Sequence, residues 1–386
     1  MKIAIASLGD PRSVNTWSGI PAHIVRALEK KGHDLVGIAL SNPEEPWYFD
    51  WLRRLYWWLQ KKWFLSAVEK TSLKAIGKQL DTEVAVAKPD AVLIIHGDFL
   101  AYTTFSQPAC IIHDTTFASI LDYYPAFSNL TLRSIKAGNQ MYKLALNRAD
   151  AAFFSSEWAS ESAIHDYQTN ISRVYTIPFG ANLNNIPEND FVIKCIKLRS
   201  QSEDCKLIFL GIDWERKGGA DALRFVIELN RLGIKSRLLI VGCKPQLSPD
   251  TEQFVEKMGF FNKSVEAEAK KLEALLQESH ALILPSKAEC YGCVYCEANA
   301  YGLPALARDT GGVSEIIKDG VNGLLLKIEE TPEMLAERWA IIWRKREIYT
   351  SLAITSRNEY EKRLNYDVFA TKVESILNDL IVKAKQ

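Results

Sequence analysis

The 386-residue chain has no surplus of charge of either sign: 47 Lys and Arg stand against 47 Asp and Glu. That balance excludes a nucleic-acid binder that works through bulk positive charge. No run of about 18 apolar residues occurs, so no membrane-spanning helix is expected. The opening MKIAIASLGD lacks the length and the small-residue cleavage site of a secretory signal. It reads instead as a first buried strand. G-x-G-x-x-G is absent, which removes the main sequence support for a dinucleotide-dependent dehydrogenase. G-x-x-x-x-G-K-[ST] is absent too, which argues against a P-loop enzyme. The seven cysteines are an odd number in a large chain, and with no export signal they imply a reduced, cytoplasmic setting.

Hydrophobic residues make up 47% and charged residues 24%, ordinary usage for a chain with a sizeable core. The repeating unit is a short apolar run, a turn and a helical pattern. KIAIAS leads to GIPAHIVRALEKKG, with Ile20, Ile24, Ala27 and Leu28 on one helical face and Gly32 as the stop. Further strands are expected at 91–97, 109–115, 149–156 and 173–180. The segment 181–204 is polar and irregular and reads as a linker. The pattern then restarts, with strands at 205–211, 236–242, 280–286 and 303–308 and helices through 219–232, near 265–278 and from about 292. Near-continuous apolar runs imply strands covered on both faces, hence parallel sheets. The expected class is α/β: two doubly wound, Rossmann-like units with a cleft between them. Ligands in such sheets bind beyond the carboxyl ends of strands. Those ends carry Gly19, His113, Gly211 to Lys217, Gly242 and Glu289.

Residues 289–297 read ECYGCVYCE and pose a choice. As metal or cluster ligands, Cys290, Cys293 and Cys296 need a fourth partner, and the position three beyond Cys296 is Ala300. As a helix start, Tyr291, Gly292, Cys293 and Val294 expose backbone N–H groups to an anion. Glu289 then lies at the carboxyl end of a strand, and Glu297 one turn into the helix can accept both hydroxyls of a ribose. Two exposed glutamates flanking a helix start are equally consistent with the spacing. DWERKGG (213–219) adds Arg216 and Lys217, suited to a diphosphate or to a solvated basic turn.

The E-x7-E spacing, followed by ANAYGLPALARDTGGVSEIIKDGVNGLLL, resembles the donor-binding half of retaining GT-B glycosyltransferases of the family-4 type. The likeness extends to WSGIPAHIVRALEKKGHD, HDTT, SSEWASESAIHDY, VYTIPFGAN and FLGIDWERKGG. It implies a transferase that moves a sugar from a nucleotide-diphosphate donor, UDP favoured over GDP, to an acceptor hydroxyl with retained configuration. No metal-binding Asp-x-Asp stands at the expected cleft, so no metal is expected. Glu289 and His113 are implied near the donor sugar, with Asp114 the adjacent alternative to His113. A lone His ending a buried strand is also consistent with a core histidine bonded to backbone. Gly19, Arg216, Lys217, Tyr291, Gly292, Cys293, Val294 and Glu297 are implied around the nucleotide and diphosphate, and Gly311 and Gly312 either there or in a plain turn. Ile212 stands where such enzymes usually carry the diphosphate Arg, and Ser18–Gly19 replaces a glycine pair. The implied domains are 1–185 on the acceptor side, 186–365 on the donor side, and a helix over 366–386 crossing back. A nucleotide-sugar 2-epimerase and a non-catalytic binding relative remain the alternatives.

One stretch stands outside that pattern. PWYFDWLRRLYWWLQKKWF (46–64) holds five of the ten tryptophans, and Trp47, Trp51, Leu55 and Trp58 align at helical spacing. It reads as an interfacial helix in peripheral contact with the inner face of a membrane, as an acceptor lid, or as a core helix.

Overall fold

A computed structural model describes residues 1–384. The chain divides into two compact units. The first comprises Met1–Pro178 together with the chain from Tyr366, and the second Phe179–Asn365.

The first unit is built on six parallel strands: β1 (Lys2–Leu8), β2 (Asp34–Leu40), β3 (Ala91–Ile95), β4 (Ala109–His113), β5 (Ala151–Phe154) and β6 (Val174–Thr176). They lie in the order β2-β1-β3-β4-β5-β6. Ile3 to Ala6 and Ala91 to Ile95 are wholly inaccessible, as expected of strands covered on both faces. The helix Ile20–Lys30 buries Ile24, Val25 and Leu28. The chain's last helix, Tyr366–Ala384, packs against it through Phe369, Val373 and Leu377. The Tyr366 ring stacks on His23 at 5.3 Å.

The second unit repeats the plan with β7 (Cys205–Leu210), β8 (Ser236–Val241), β9 (Val255–Gly259), β10 (Ala281–Leu284), β11 (Ala305–Arg308) and β12 (Gly323–Leu326). Their order is β12-β11-β10-β7-β8-β9, again all parallel. In each sheet the chain runs outward one way and then the other. This creates a switch point between β1 and β3, and another between β7 and β10. Loops leaving neighbouring strands diverge there and open a crevice at the carboxyl ends.

One expectation needs correction, and one left open is narrowed. The stretch read as a linker contains a regular helix, Asn189–Ser200, which buries Val192 and Ile196. It also buries Arg199, whose guanidinium donates to the carbonyls of Ser279, Tyr301 and Gly302 at 3.0–3.1 Å. Its apolar stripe is only one residue wide per turn, too narrow to show against the polar background. The aromatic stretch does form a helix, Tyr48–Gln60, but its core side is Phe49 and Leu52. The stripe of Trp47, Trp51 and Trp58 faces solvent.

Candidate active site

In the second unit the switch point between β7 and β10 gathers the charged residues. The loop after β7 turns at Asp213, whose Oδ1 accepts from the Arg216 backbone N–H at 3.0 Å, and leads into the helix Gly219–Arg231. Gly218 caps that helix with φ of +74°. A Cβ there would stand 2.1 Å from the Pro285 carbonyl oxygen, so this loop and the one after β10 touch at backbone distance. The Lys287 N–H donates to the Arg216 carbonyl at 2.8 Å, and the Arg216 guanidinium donates to the Ala288 carbonyl at 3.1 Å. These bonds set the side chains. Lys217 Nζ donates to Glu289 Oε2 in a close, largely buried ion pair. Ser286 Oγ lies 3.3 Å and Arg216 Nη1 3.8 Å from the same oxygen. Two cations and one carboxylate thus sit where the strand order reverses. Ile212 is exposed and takes no part.

Beyond Glu289 the chain reaches Gly292, which caps the helix Cys293–Ala300 with φ of +93°. A Cβ there would lie 2.6 Å from the Tyr295 ring, so the turn admits only glycine without displacing that ring. Gly292, Cys293 and Val294 keep accessible surface at the helix start, whereas Tyr291 is buried and donates to the Phe179 carbonyl at 2.7 Å. The Tyr291 ring is therefore a packing element, and its expected place among the donor contacts rests on its backbone alone. Cys296 Sγ contacts the same carbonyl at 3.6 Å, and burial pushes its thiol up to about 12. Among the described residues no three His, Cys, Asp or Glu side chains come together as a metal-holding group. Both Glu297 oxygens are taken by Lys263 Nζ, at 2.6 and 2.7 Å. Lys263 lies just past β9 and did not figure in the sequence reading. A ribose hydroxyl at Glu297 must share the carboxylate with it or displace it. The Gly312 N–H donates to the Cys290 carbonyl at 3.1 Å, which makes Gly311–Gly312 part of the wall behind Glu289.

The first unit places a second set at its own switch point. Gly19 begins the helix Ile20–Lys30, and the two residues before it, Trp17 and Ser18, hold left-handed backbone at φ of 41° and 58°. His96, directly after β3, does so at 59°. Three non-glycine residues in that region at one crevice mark stored strain of about 1–3 kcal/mol each, a pattern that clusters at functional sites. The Trp17 ring sits edge-on to His96 at 4.4 Å, and His96 lies 5.0 Å from His113. His113 ends β4. Its Nδ1 accepts from the backbone N–H groups of Asp114 and Thr115, both at 3.0 Å. That assigns the proton of the neutral ring to Nε2, leaving a donor on the side away from the loop. Sequence reasoning found His113 and Gly19 but missed Trp17, His96 and Asp98, which have no motif to announce them.

Asp98 carries a testable consequence. Burial pushes its carboxyl up to about 6, and its Oδ1 has no hydrogen-bond partner among the described residues. Below that pH the folded chain keeps a proton on Asp98 that the unfolded chain has already released. Stability is therefore lost as pH rises through the window from about 4 to 6, by up to about 1.4 kcal/mol per pH unit. Asp98→Asn removes that dependence. The variant should match the parent near pH 4 and exceed it by about 2–3 kcal/mol above pH 6, read from urea midpoints across pH. A difference that stays constant with pH would place the charge in solvent. His96, which burial lowers to about 3, slopes the opposite way in both proteins and cancels from the comparison.

Residues 196–359 match the family described as glycosyl transferases group 1. A D-inositol 3-phosphate glycosyltransferase of Nocardia farcinica is 28% identical over 201 residues, covering 50% of this chain and 44% of that protein. The chain spans about half the length of the curated relatives it matches. Among solved structures, sucrose-phosphate synthase from Thermosynechococcus elongatus superposes with a TM-score of 0.70 at 16% identity, covering 99% of this chain and 100% of that one. Anabaena Alr3699/HepE, solved in complex with UDP-glucose, superposes at 0.62 with 14% identity over 98% and 100%. The match to the glycosyl transferases group 1 falls within the second unit, and the two parallel six-stranded sheets are those of the GT-B fold.

Proposed function

We propose that the chain transfers a hexosyl group from a nucleoside diphosphate sugar to an acceptor hydroxyl, with retention at the anomeric carbon. The observation that carries this reading is the convergence of Arg216, Lys217 and Glu289 at the switch point of the family-matched unit. UDP is the favoured nucleotide, because a structure of the same fold holds UDP-glucose.

Cleavage of the bond between the anomeric carbon and the β-phosphate oxygen puts negative charge on the leaving diphosphate and positive charge on the sugar. Lys217, Arg216 and the first N–H groups of the helix Cys293–Ala300 are placed to stabilise the diphosphate. Lys217 pairs with Glu289. An arriving diphosphate competes for that ammonium and releases the Glu289 carboxylate to accept from sugar hydroxyls. In the first unit, His113 Nε2–H is a candidate donor to a sugar hydroxyl. The acceptor oxygen attacks on the face the diphosphate leaves, and its proton passes to a departing phosphate oxygen, so retention needs no covalent enzyme intermediate. Glu297 with Lys263 is the candidate ribose clamp. No step requires a metal.

The test is a thermal-shift titration with UDP, GDP, ADP and CMP. A nucleotide at 100 times its dissociation constant adds about 2.7 kcal/mol of stability, a clear rise in melting temperature. A rise with UDP alone fixes the donor class, and a rise with GDP alone reassigns it. No rise with any nucleotide sinks the transferase reading and favours a non-catalytic relative. Turnover of the donor to free UDP and an altered sugar without acceptor would instead identify a 2-epimerase.

A further inference from the structure

The helix Tyr48–Gln60 follows the carboxyl end of β2 and shows two unlike faces. The inner face is fixed. Phe49 and Leu52 are buried with Phe64 in a cluster of their own, the Phe49 and Phe64 rings meet at 5.5 Å, and Tyr56 stacks on Phe64 at 5.9 Å. Arg53 pins the helix to the first unit by bonding Glu45 and the Ser66 hydroxyl. The outer face is the unusual one. Trp47 is 83% exposed, Trp58 73% and Trp51 56%. At about 100° per residue these three and Arg54 fall within one narrow stripe opposite Phe49 and Tyr56. The chain then turns at Lys61, left-handed at φ of 55°, and presents Trp63, stacked on Trp57 at 4.5 Å, with the Lys61 ammonium over the Trp57 ring at 5.7 Å.

We propose that this face is a docking surface for an anionic lipid bilayer. The charge argues for it. Residues 44–64 hold four cations, Arg53, Arg54, Lys61 and Lys62, against three anions, Glu44, Glu45 and Asp50. Glu45 and Asp50 both pair with Arg53, which leaves Arg54, Lys61 and Lys62 beside the indoles. The chain as a whole is neutral, whereas this segment carries a net charge of +1 and its three remaining cations stand next to the exposed indoles. Indole is apolar over its rings and carries one N–H donor, the combination that settles at the headgroup level, with lysine and arginine reaching phosphates beside it. A protein helix would need a groove to enter. The stripe is instead the convex side of one helix, a shape suited to a surface. No helix among the described residues is long and apolar enough to cross a membrane, so the contact is peripheral. This inference does not depend on the transferase reading, because it is measured without donor or acceptor.

The test is flotation of the full chain with extruded vesicles of phosphatidylcholine alone and of phosphatidylcholine mixed with phosphatidylglycerol. Each basic side chain at an anionic surface is worth about a fivefold gain in binding. Binding to the mixed vesicles should exceed binding to neutral ones by about tenfold or more and weaken as salt is raised. Arg54→Glu, Lys61→Glu and Lys62→Glu together should erase that preference. Trp47→Ala, Trp51→Ala and Trp58→Ala together should cut binding to mixed vesicles by about tenfold. These side chains are exposed apart from the half-buried Lys62, so both triple variants should keep a melting temperature close to the parent's. Equal binding to both vesicle types, no binding at all, or undiminished binding by the tryptophan variant overturns the proposal. A concentration-dependent dimer that the tryptophan changes dissolve, without vesicle binding, would give the face to a second copy of the chain.

Discussion

Lys217→Ala is expected to lower kcat by about 10²–10³-fold, the usual cost of removing one group that stabilises charge formed only in the transition state. Lys217 is the better buried of the two cations at the switch point and sits directly on Glu289, while Arg216 is held aside by the Ala288 carbonyl and by Asp213 at 3.4 Å. Arg216→Ala should therefore cost less than Lys217→Ala. Glu289→Ala should abolish transfer yet leave nucleotide affinity within a few-fold, because the carboxylate serves the sugar and the lysine serves the diphosphate. The two losses should not add. Each single change leaves the partner charge in a largely buried site, at a penalty of about 1–3 kcal/mol, so the double variant should be more stable than the sum predicts. Initial rates with the donor identified by thermal shift, nucleotide affinity by calorimetry, and circular dichroism to check the fold separate these outcomes. A Lys217→Ala enzyme within threefold of the parent kcat would remove Lys217 from the leaving-group site.

The fold could be read in the sequence where burial is two-sided and not at the margins. Every strand expected from an apolar run is present. The three that escaped, β2, β9 and β12, are all edge strands. DLVGIAL alternates buried and exposed residues, VEKMG has no fully buried residue, and GLLL is only four residues long. An edge strand is set by its neighbour's hydrogen bonds, which leave no pattern in its own side chains. The same limit applies to the candidate site. Glu289, Lys217 and His113 end central strands or open helices, and their motifs are local. Lys263 follows an edge strand, and His96 and Asp98 become significant only because β3 lies next to β1. That adjacency belongs to strand order, which no local spacing encodes.

Gly218→Ala is the stability change with the largest expected effect, and it tests how the site is held. Alanine at φ of +74° costs about 1–2 kcal/mol in backbone strain alone. Its Cβ would also stand 2.1 Å from the Pro285 carbonyl oxygen, and neither atom lies on a flexible side chain, so one loop must move. A total of about 3–4 kcal/mol follows, with a melting temperature lower by about 10 °C for a unit of this size. Gly233→Ala is the control. It has φ of +81° but nothing within 4 Å of the new Cβ, so it should carry the strain without the clash. The gap between the two variants measures the close approach of the loops. It should also appear in binding, because Pro285 leads the segment that carries Ser286 and Glu289, and a loop displaced by the added methyl group draws Glu289 away from Lys217. A folded Gly218→Ala protein should therefore bind nucleotide more weakly than Gly233→Ala at equal folded fraction. If both melt alike and bind alike, the contact between the two loops does not position the ion pair, and the rigidity of the site must come from the two helix starts instead.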